Sequence, residues 1–234
     1  MSKTHAVQIY SQPFQRLFVV GDIHGCYQQL MQKLQQLGFD FQQDLLVSVG
    51  DLVDRGPESL KCLNLIDQPW FTAILGNHEE MCLLSEHDPA MADLHSQHGG
   101  EWLYALDPEQ QAQVRARCRR LPIVLEIEHQ QQHYGFVHAD VDHNDWQAFK
   151  QAVTRSHDVA IWSRGRIRNK RPHLYHHVQG IDRVYLGHTV VPQVTQRDNC
   201  YYLDTGAVFG HHLSVVEIDI QQPIEQQLKV IQVL

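Results

Sequence analysis

Three short apolar runs in the first eighty residues each stop at a glycine and give way at once to a polar cluster. Arg16 to Val20 leads into Gly21-Asp22-Ile23-His24-Gly25. Leu45 to Val49 leads into Gly50-Asp51-Leu52-Val53-Asp54-Arg55-Gly56-Pro57. Phe71 to Leu75 leads into Gly76-Asn77-His78-Glu79. Between the runs, Leu30, Leu34 and Leu37 recur at helical spacing before Gly38, and Leu60, Leu63 and Leu65 suggest a second helix. Strand, helix, strand, helix, strand is a βαβαβ rhythm, which demands parallel strands joined by right-handed crossovers.

Residues Asp107 to Arg120 read as a helix opened by Pro108 at its first position. Arg115, Arg117, Arg119 and Arg120 then form a solvated helix end, favoured by the helix dipole. From Leu121 the pattern turns to strands: Ile123 to Ile127, Tyr134 to Val137, Val184 to Leu186, Tyr201 to Leu203, Leu213 to Ile220 and Leu228 to Val233. The last two partly alternate apolar and polar residues, as a half-exposed antiparallel sheet does. The expected fold class is therefore α/β (α+β), α/β in front and β-rich behind, over one domain spanning 1–234.

Composition removes several classes. With 43% hydrophobic and 20% charged residues among 234, the chain is neither disordered nor fibrous. Nineteen basic against 27 acidic residues, a net charge of −8, argue against a nucleic-acid polymer as partner. No apolar run approaches the roughly 18 residues of a membrane helix, and the opening residues carry no secretory leader pattern. Five scattered cysteines without a CxxC pair read as reduced thiols in a cytoplasmic protein. None has an arginine six positions on, so the loop of a cysteine-dependent phosphatase is absent.

The polar clusters carry the chemistry. Ligands of α/β proteins gather at the carboxyl ends of parallel strands. His138, in Phe-Val-His-Ala-Asp, and His188, in Leu-Gly-His-Thr, also follow expected strands, so five segments can converge. Asp22, His24, Asp51, Asn77, His138 and His188 offer carboxylate, amide and imidazole without thiolate. That mix suits Mn²⁺, Fe or Zn²⁺. A shared carboxylate is what two metals about 3.5 to 4 Å apart require.

The three front motifs, with FVHAD, IWSRGRI, LGHT and YYLDTGAVFG following in order, resemble the signature of the calcineurin-like metallophosphoesterases. Within them the resemblance is to PPP-type serine/threonine protein phosphatases of the small bacterial and bacteriophage-lambda type. It covers nearly the whole chain. It implies a central β-sandwich of two mixed sheets flanked by helices, with the metal site at the strand ends. It implies that Asp22 and His24 hold one metal, Asp51 bridges both, and Asn77, His138 and His188 complete the second. Asp54 would orient His78, the general acid, and Arg55 and Arg164 would grip the phosphoryl oxygens. The cofactors implied are two divalent cations, Mn²⁺ first, with a bridging hydroxide attacking phosphorus directly. The substrate implied is a phosphorylated protein or small phosphoester.

One position departs from the pattern. The lambda-type sequences carry an arginine two residues before the asparagine of Gly-Asn-His-Glu, and here that residue is Leu75. Leucine at this place is similar to the symmetrical diadenosine tetraphosphatases, so a dinucleoside tetraphosphate hydrolase is the alternative activity. Asp54 and the short chain favour the phosphatase. Arg166, Arg168, Lys170 and Arg171 are candidates to replace the missing cation. A metal-binding scaffold without activity is the third reading, and the otherwise complete catalytic set weighs against it. Trp70, Phe71, Trp102 and Tyr104 are read as core or edge aromatics. His95, His98, His211 and His212 are read as loop residues, and Ser85 to Leu106 as a candidate cover for the site.

Overall fold

The computed structural model describes residues 6–168 and 172–219. The three front runs are strands β2 (Leu17–Val20), β3 (Leu45–Ser48) and β4 (Phe71–Ala73), preceded by β1 (Val7–Tyr10). Strands β2, β3 and β4 are parallel neighbours, Leu17 opposite Leu45 and Leu46 opposite Phe71. Helices α1 (Tyr27–Gln36) and α2 (Ser59–Asn64) make the crossovers. Gly38 sits just past α1 at φ +61°, a left-handed stop that glycine takes without strain.

After β4 come the helices α3 (Asn77–Leu84), α4 (Pro89–His95), α5 (Glu101–Tyr104) and α6 (Pro108–Cys118). Asp107 caps α6 in a reciprocal box with Gln110. The arginines at its end are not all solvated. Arg115 is buried, and its Nε donates to the Cys82 carbonyl of α3 at 3.2 Å. Arg117 and Arg120 pair with Asp67, and Arg119 with Glu86.

Strands β5 (Val124–His129) and β6 (Gln132–Val137) form a hairpin. Helices α7 (Trp146–Ala152), α8 (His157–Trp162) and α9 (Gly165–Arg168) precede β7 (Arg183–Leu186), β8 (Thr195–Arg197), β9 (Cys200–Tyr202) and β10 (Val215–Glu217). Two mixed sheets result, one ordered β1-β5-β6-β7-β9-β8 and the other β10-β2-β3-β4. Their facing sides share one core, with Leu17, Val19 and Val47 against Leu125, Phe136 and Tyr185. The opposite sides pack on helices through Phe18, Val20, Leu30 and Leu63. Burial on both faces is why the front strands read as unbroken apolar runs.

Strand β10 differs from expectation. It covers three residues of the expected 213–220 run and joins the front sheet, antiparallel to β2. Val215 faces the helix-side core and Val216 the core between sheets, so it is not half-exposed. Ile220 and the expected strand at 228–233 lie outside the described residues. Edge strand β8 is Thr-Gln-Arg, too polar to read as a strand, and forms because β9 offers it a free edge.

The β5–β6 hairpin turns on Gln130 and Gln131, both at positive φ (+52° and +64°), the type I′ arrangement that favours Asn-Gly. Gln130→Asn combined with Gln131→Gly is therefore expected to stabilise the fold by about 1 kcal/mol, raising Tm by about 2–4 °C. Calorimetry checks this, and an unchanged Tm would mean the glutamines are not strained.

Candidate metal and phosphate site

Every candidate ligand lies just past a strand end. Asp22 and His24 follow β2, Asp51 follows β3, Asn77 follows β4, His138 follows β6 and His188 follows β7. Both sheets contribute, so the site caps the open end of the sandwich. His24, Asp51, Asp54, Arg55 and His188 are all held at positive φ, between +44° and +73°. Such conformations cost non-glycine residues roughly 1–3 kcal/mol each and gather at functional sites. Glycines admit the carboxylates. A Cβ on Gly187 would lie 2.0 Å from Asp22 Oδ1, and one on Gly76 2.2 Å from Asp51 Oδ1.

Two donor clusters share Asp51. One is His24, Asp51 and His78, and the other is Asp51, His138 and His188, the donor atoms of each lying within 4.8 Å of one another. Asn77 joins the second, its Oδ1 standing 3.0 Å from His138 Nε2 and 2.8 Å from His188 Nδ1. Asp22 stands at the edge of the arrangement. Its carboxylate accepts the backbone N–H of His188 at 3.0 and 3.2 Å.

Each candidate ligand histidine is oriented through its other nitrogen. His24 Nδ1 donates to Val53 O at 2.8 Å, His138 Nδ1 to Val49 O at 2.7 Å, and His188 Nε2 to Trp162 O at 3.1 Å. Burial lowers the pKa of His24 and His188 to about 3, so both are neutral. The free Nδ1 of His188 turns its lone pair towards Asn77 Oδ1, while His24 Nε2 faces Asp51 Oδ2 and is also met by Arg55 Nη1. Acceptor facing acceptor is repulsive unless a cation lies between, and carbonyl-oriented imidazole is the usual outer support of metal sites.

The carboxylates tell the same story. Burial, Asp204 and Asp51 together raise Asp22 well above the usual range. Burial would raise Asp51 too, but His138 and His78 outweigh it and hold it well below. Buried like charges need compensating cations. The donor set thus fits divalent metal.

Beside this cluster stands the Asp54–His78 pair. His78 Nδ1 lies 2.7 Å from Asp54 Oδ2, both fully buried. His78 Nε2 is buried without a partner, next to His24 at a ring separation of 4.6 Å. Asp54 also accepts from His95 Nε2 at 2.9 Å and Trp102 Nε1 at 2.7 Å. Burial alone would raise its pKa, and the bonds from His78 and His95 lower it instead.

Arg55 is exposed on the rim. Its N–H donates to Gly99 O at 3.1 Å, its guanidinium lies over Phe209 and Nη1 touches His24 Nε2. Arg164 is exposed within the field of Arg55 and Asp51. Arg166, offered as a substitute cation, is instead structural. It is 2% exposed, donates to Asp140 Oδ1 at 3.0 Å and reaches the carbonyls of Val141 and His176. Lys170 and Arg171 lie outside the described residues.

Three site residues, two of them buried, escaped sequence reading. Glu79 accepts four backbone N–H groups, from Leu52, Val53, Asp51 and Gly76 at 2.7 to 3.2 Å. It ties the second and third motifs together, while burial and Asp51 push its pKa up to about 7. Its place in Gly-Asn-His-Glu was the available signal. His95, expected in a loop, is fully buried on Asp54, and Trp102 is more than an edge aromatic. His98, His211 and His212 are exposed, as expected of loop residues. All five cysteines are free.

Leu75 is 5% exposed in the helix-side core, its N–H donating to Pro122 O at 2.8 Å. Leu75→Arg is therefore expected to bury a cation and cost about 3 kcal/mol or more, seen as a lowered urea midpoint. Normal stability with a lower KM for phosphate monoesters would show that arginine reaches the site after all.

Comparison with known proteins bears on the family. The model of the calcineurin-like phosphoesterase family matches residues 15–214. Serine/threonine-protein phosphatase 1 of Salmonella typhimurium is 41% identical over 90% of this chain and 95% of its own. A symmetrical bis(5'-nucleosyl)-tetraphosphatase of Proteus mirabilis is 45% identical over only 64 residues, 26% of this chain and 23% of its own. A solved structure described as a candidate diadenosine tetraphosphatase superposes with TM-score 0.68 at 22% identity, covering 92% of this chain and 94% of that one. At that identity it shows the shared fold alone. Among the described residues no helix is long and apolar enough to cross a membrane. The two mixed sheets, the strand-end carboxylates and imidazoles and the matching family model agree, and the chain belongs to the calcineurin-like phosphoesterases.

Proposed function

We propose that the protein is a cytoplasmic serine/threonine protein phosphatase that hydrolyses phosphomonoesters with two divalent cations, Mn²⁺ first among them. The observation that carries this reading is the buried Asp54–His78 pair beside the shared-carboxylate cluster, in a chain related over 90% of its length to a protein phosphatase. Asp22, His24 and Asp51 would hold one cation, and Asp51, Asn77, His138 and His188 the other. Bound there, such cations supply Lewis acidity and a nucleophile of lowered pKa.

The remaining steps belong to the chain. Arg55 and Arg164 grip the equatorial oxygens, where charge develops in the transition state. His78 gives a proton from Nε2 to the departing alkoxide, a poor leaving group. Asp54, accepting the Nδ1–H, holds the ring as the imidazolium that carries the Nε2 proton, and the transfer leaves His78 neutral with Nδ1–H still on Asp54.

A phosphoserine peptide and diadenosine tetraphosphate, assayed side by side with Mn²⁺, test the reading. Faster peptide hydrolysis is expected. Faster tetraphosphate cleavage would overturn it in favour of the dinucleotide activity. That alternative rested on Leu75, whose side chain is buried in the helix-side core.

A further inference from the structure

Asp54 is gripped from three sides, and two of the grips come from residues 41 and 48 positions away. His95, at the end of α4, places Nε2 2.9 Å from Asp54 Oδ2, the oxygen that His78 Nδ1 also meets at 2.7 Å. Trp102, in α5, donates Nε1–H to the other oxygen, Oδ1, at 2.7 Å. A carboxylate with one partner can swing about its Cβ–Cγ bond. One held on both oxygens by fixed rings cannot.

The holders are themselves fixed. His95 is fully buried, and its Nδ1 lies 2.9 Å from the Tyr104 hydroxyl. With Nε2–H directed at Asp54, Nδ1 accepts from that hydroxyl, and ring orientation and tautomer are both set. The irregular turn Ser96–Gly100 makes the approach possible. A Cβ on Gly100 would lie 2.4 Å from the His95 ring, and one on Gly99, at φ +95°, 2.6 Å from Arg55 N. The two glycines thus let one turn close on His95 and on Arg55 at once.

We propose that His95 and Trp102 are positioning residues for the reaction, holding Asp54 so that His78 presents Nε2 to the leaving group. The segment from α4 to α5 is then the support of the acid and not only a cover over the site. This rests on His78 being the general acid.

The test compares His95→Leu, His95→Gln and Trp102→Phe with the parent protein, on a phosphoserine peptide and on p-nitrophenyl phosphate. Losing one hydrogen bond to the carboxylate is expected to lower peptide kcat about 10- to 100-fold. KM should be unchanged and aryl phosphate turnover altered by no more than about 2-fold, because that leaving group needs little protonation. Gln keeps an N–H at the Nε2 place and should restore most of the rate. In a His78→Asn background, His95→Leu should cost nothing further, as expected of residues acting as one unit. Equal losses on both substrates, added loss in that background, or no loss at all would each overturn the proposal. Should His95→Leu not fold, Trp102→Phe carries the same comparison.

A second readout needs no turnover. In ¹⁵N-histidine spectra of the metal-free protein, His78 should show a single fixed Nδ1–H hydrogen-bonded to Asp54 in the parent and His95→Gln. His95→Leu and Trp102→Phe should show mixed tautomers or fast Nδ1–H exchange. An unaltered His78 signal in both would defeat the proposal even if the phosphatase reading stands. A parent protein inactive on every phosphomonoester would defeat that reading, with the spectra still deciding whether His95 and Trp102 hold Asp54.

Discussion

Asp51→Asn is expected to abolish turnover while leaving the metal-free protein folded. Asp51 belongs to both donor clusters. Its Oδ2 lies 3.5 Å from His24 Nε2 and its Oδ1 3.4 Å from His138 Nε2, and Oδ1 also accepts the His78 N–H at 3.0 Å. Asparagine keeps the volume but offers one oxygen in place of two and removes the charge that both cations would share. Loss of a shared ligand should cost at least about 10²-fold in activity. Bound metal, read by mass spectrometry after equilibration with Mn²⁺, should fall from two ions to one or none. The sign of the stability effect is the sharper check. In the metal-free state the attraction of His138 and His78 for Asp51 outweighs burial and the repulsion from Asp22 and Asp204, so removing its charge should lower the Tm. Added Mn²⁺ should raise the Tm of the parent by mass action and barely move the variant. A variant that binds two ions and works normally would refute the shared-carboxylate assignment.

His78→Asn is expected to do the opposite: keep the metal and lose the acid. The backbone N–H of His78, which donates to Asp51, survives the change, and so does its place at the start of α3. What disappears is the buried Nε2 without a partner and the 2.7 Å bond from Nδ1 to Asp54. Proton transfer of this kind is typically worth about 10²–10⁴ in rate. The full loss should appear on phosphoserine peptides, and a much smaller one on p-nitrophenyl phosphate. Equal losses on both, or loss of bound metal, would remove His78 from the acid role.

The two variants separate what adjacent residues do. Asn77 and His78 leave the same helix start, yet Asn77 Oδ1 joins the second donor cluster and the His78 ring turns towards the first. A helix turns about 100° per residue, so neighbours in sequence must face different sides.

The same geometry explains which residues could be found in advance. Asp22, His24, Asp51 and Asn77 stand within a few positions of a strand end, and strand ends were visible as apolar runs that stop at glycine. Position in the sequence there nearly equals position in space. His138 and His188 were legible for the same reason, although they belong to the other sheet. Arg166 was not. It sits two residues from Arg164, yet one short helix, α9, sends it into Asp140 and leaves Arg164 at the surface. Leu75 likewise read as a missing cation because it neighbours the motif, and it proves to be a core side chain.

What the chain determined by itself was local: the parallel βαβαβ front, a helix read over Asp107 to Arg120 and found over Pro108–Cys118, and the types and order of the candidate donors. These follow from side-chain periodicity and from glycines next to strand ends, which act over a few residues. Tertiary structure alone decided that β10 completes the front sheet, that Glu79 gathers four backbone N–H groups from two motifs, and that His95 and Trp102 close on Asp54. Each of those depends on a buried polar atom finding a partner across a long stretch of chain. Such pairing is compelled by the cost of leaving the atom unbonded, and that cost exists only once the sheets and helices have packed.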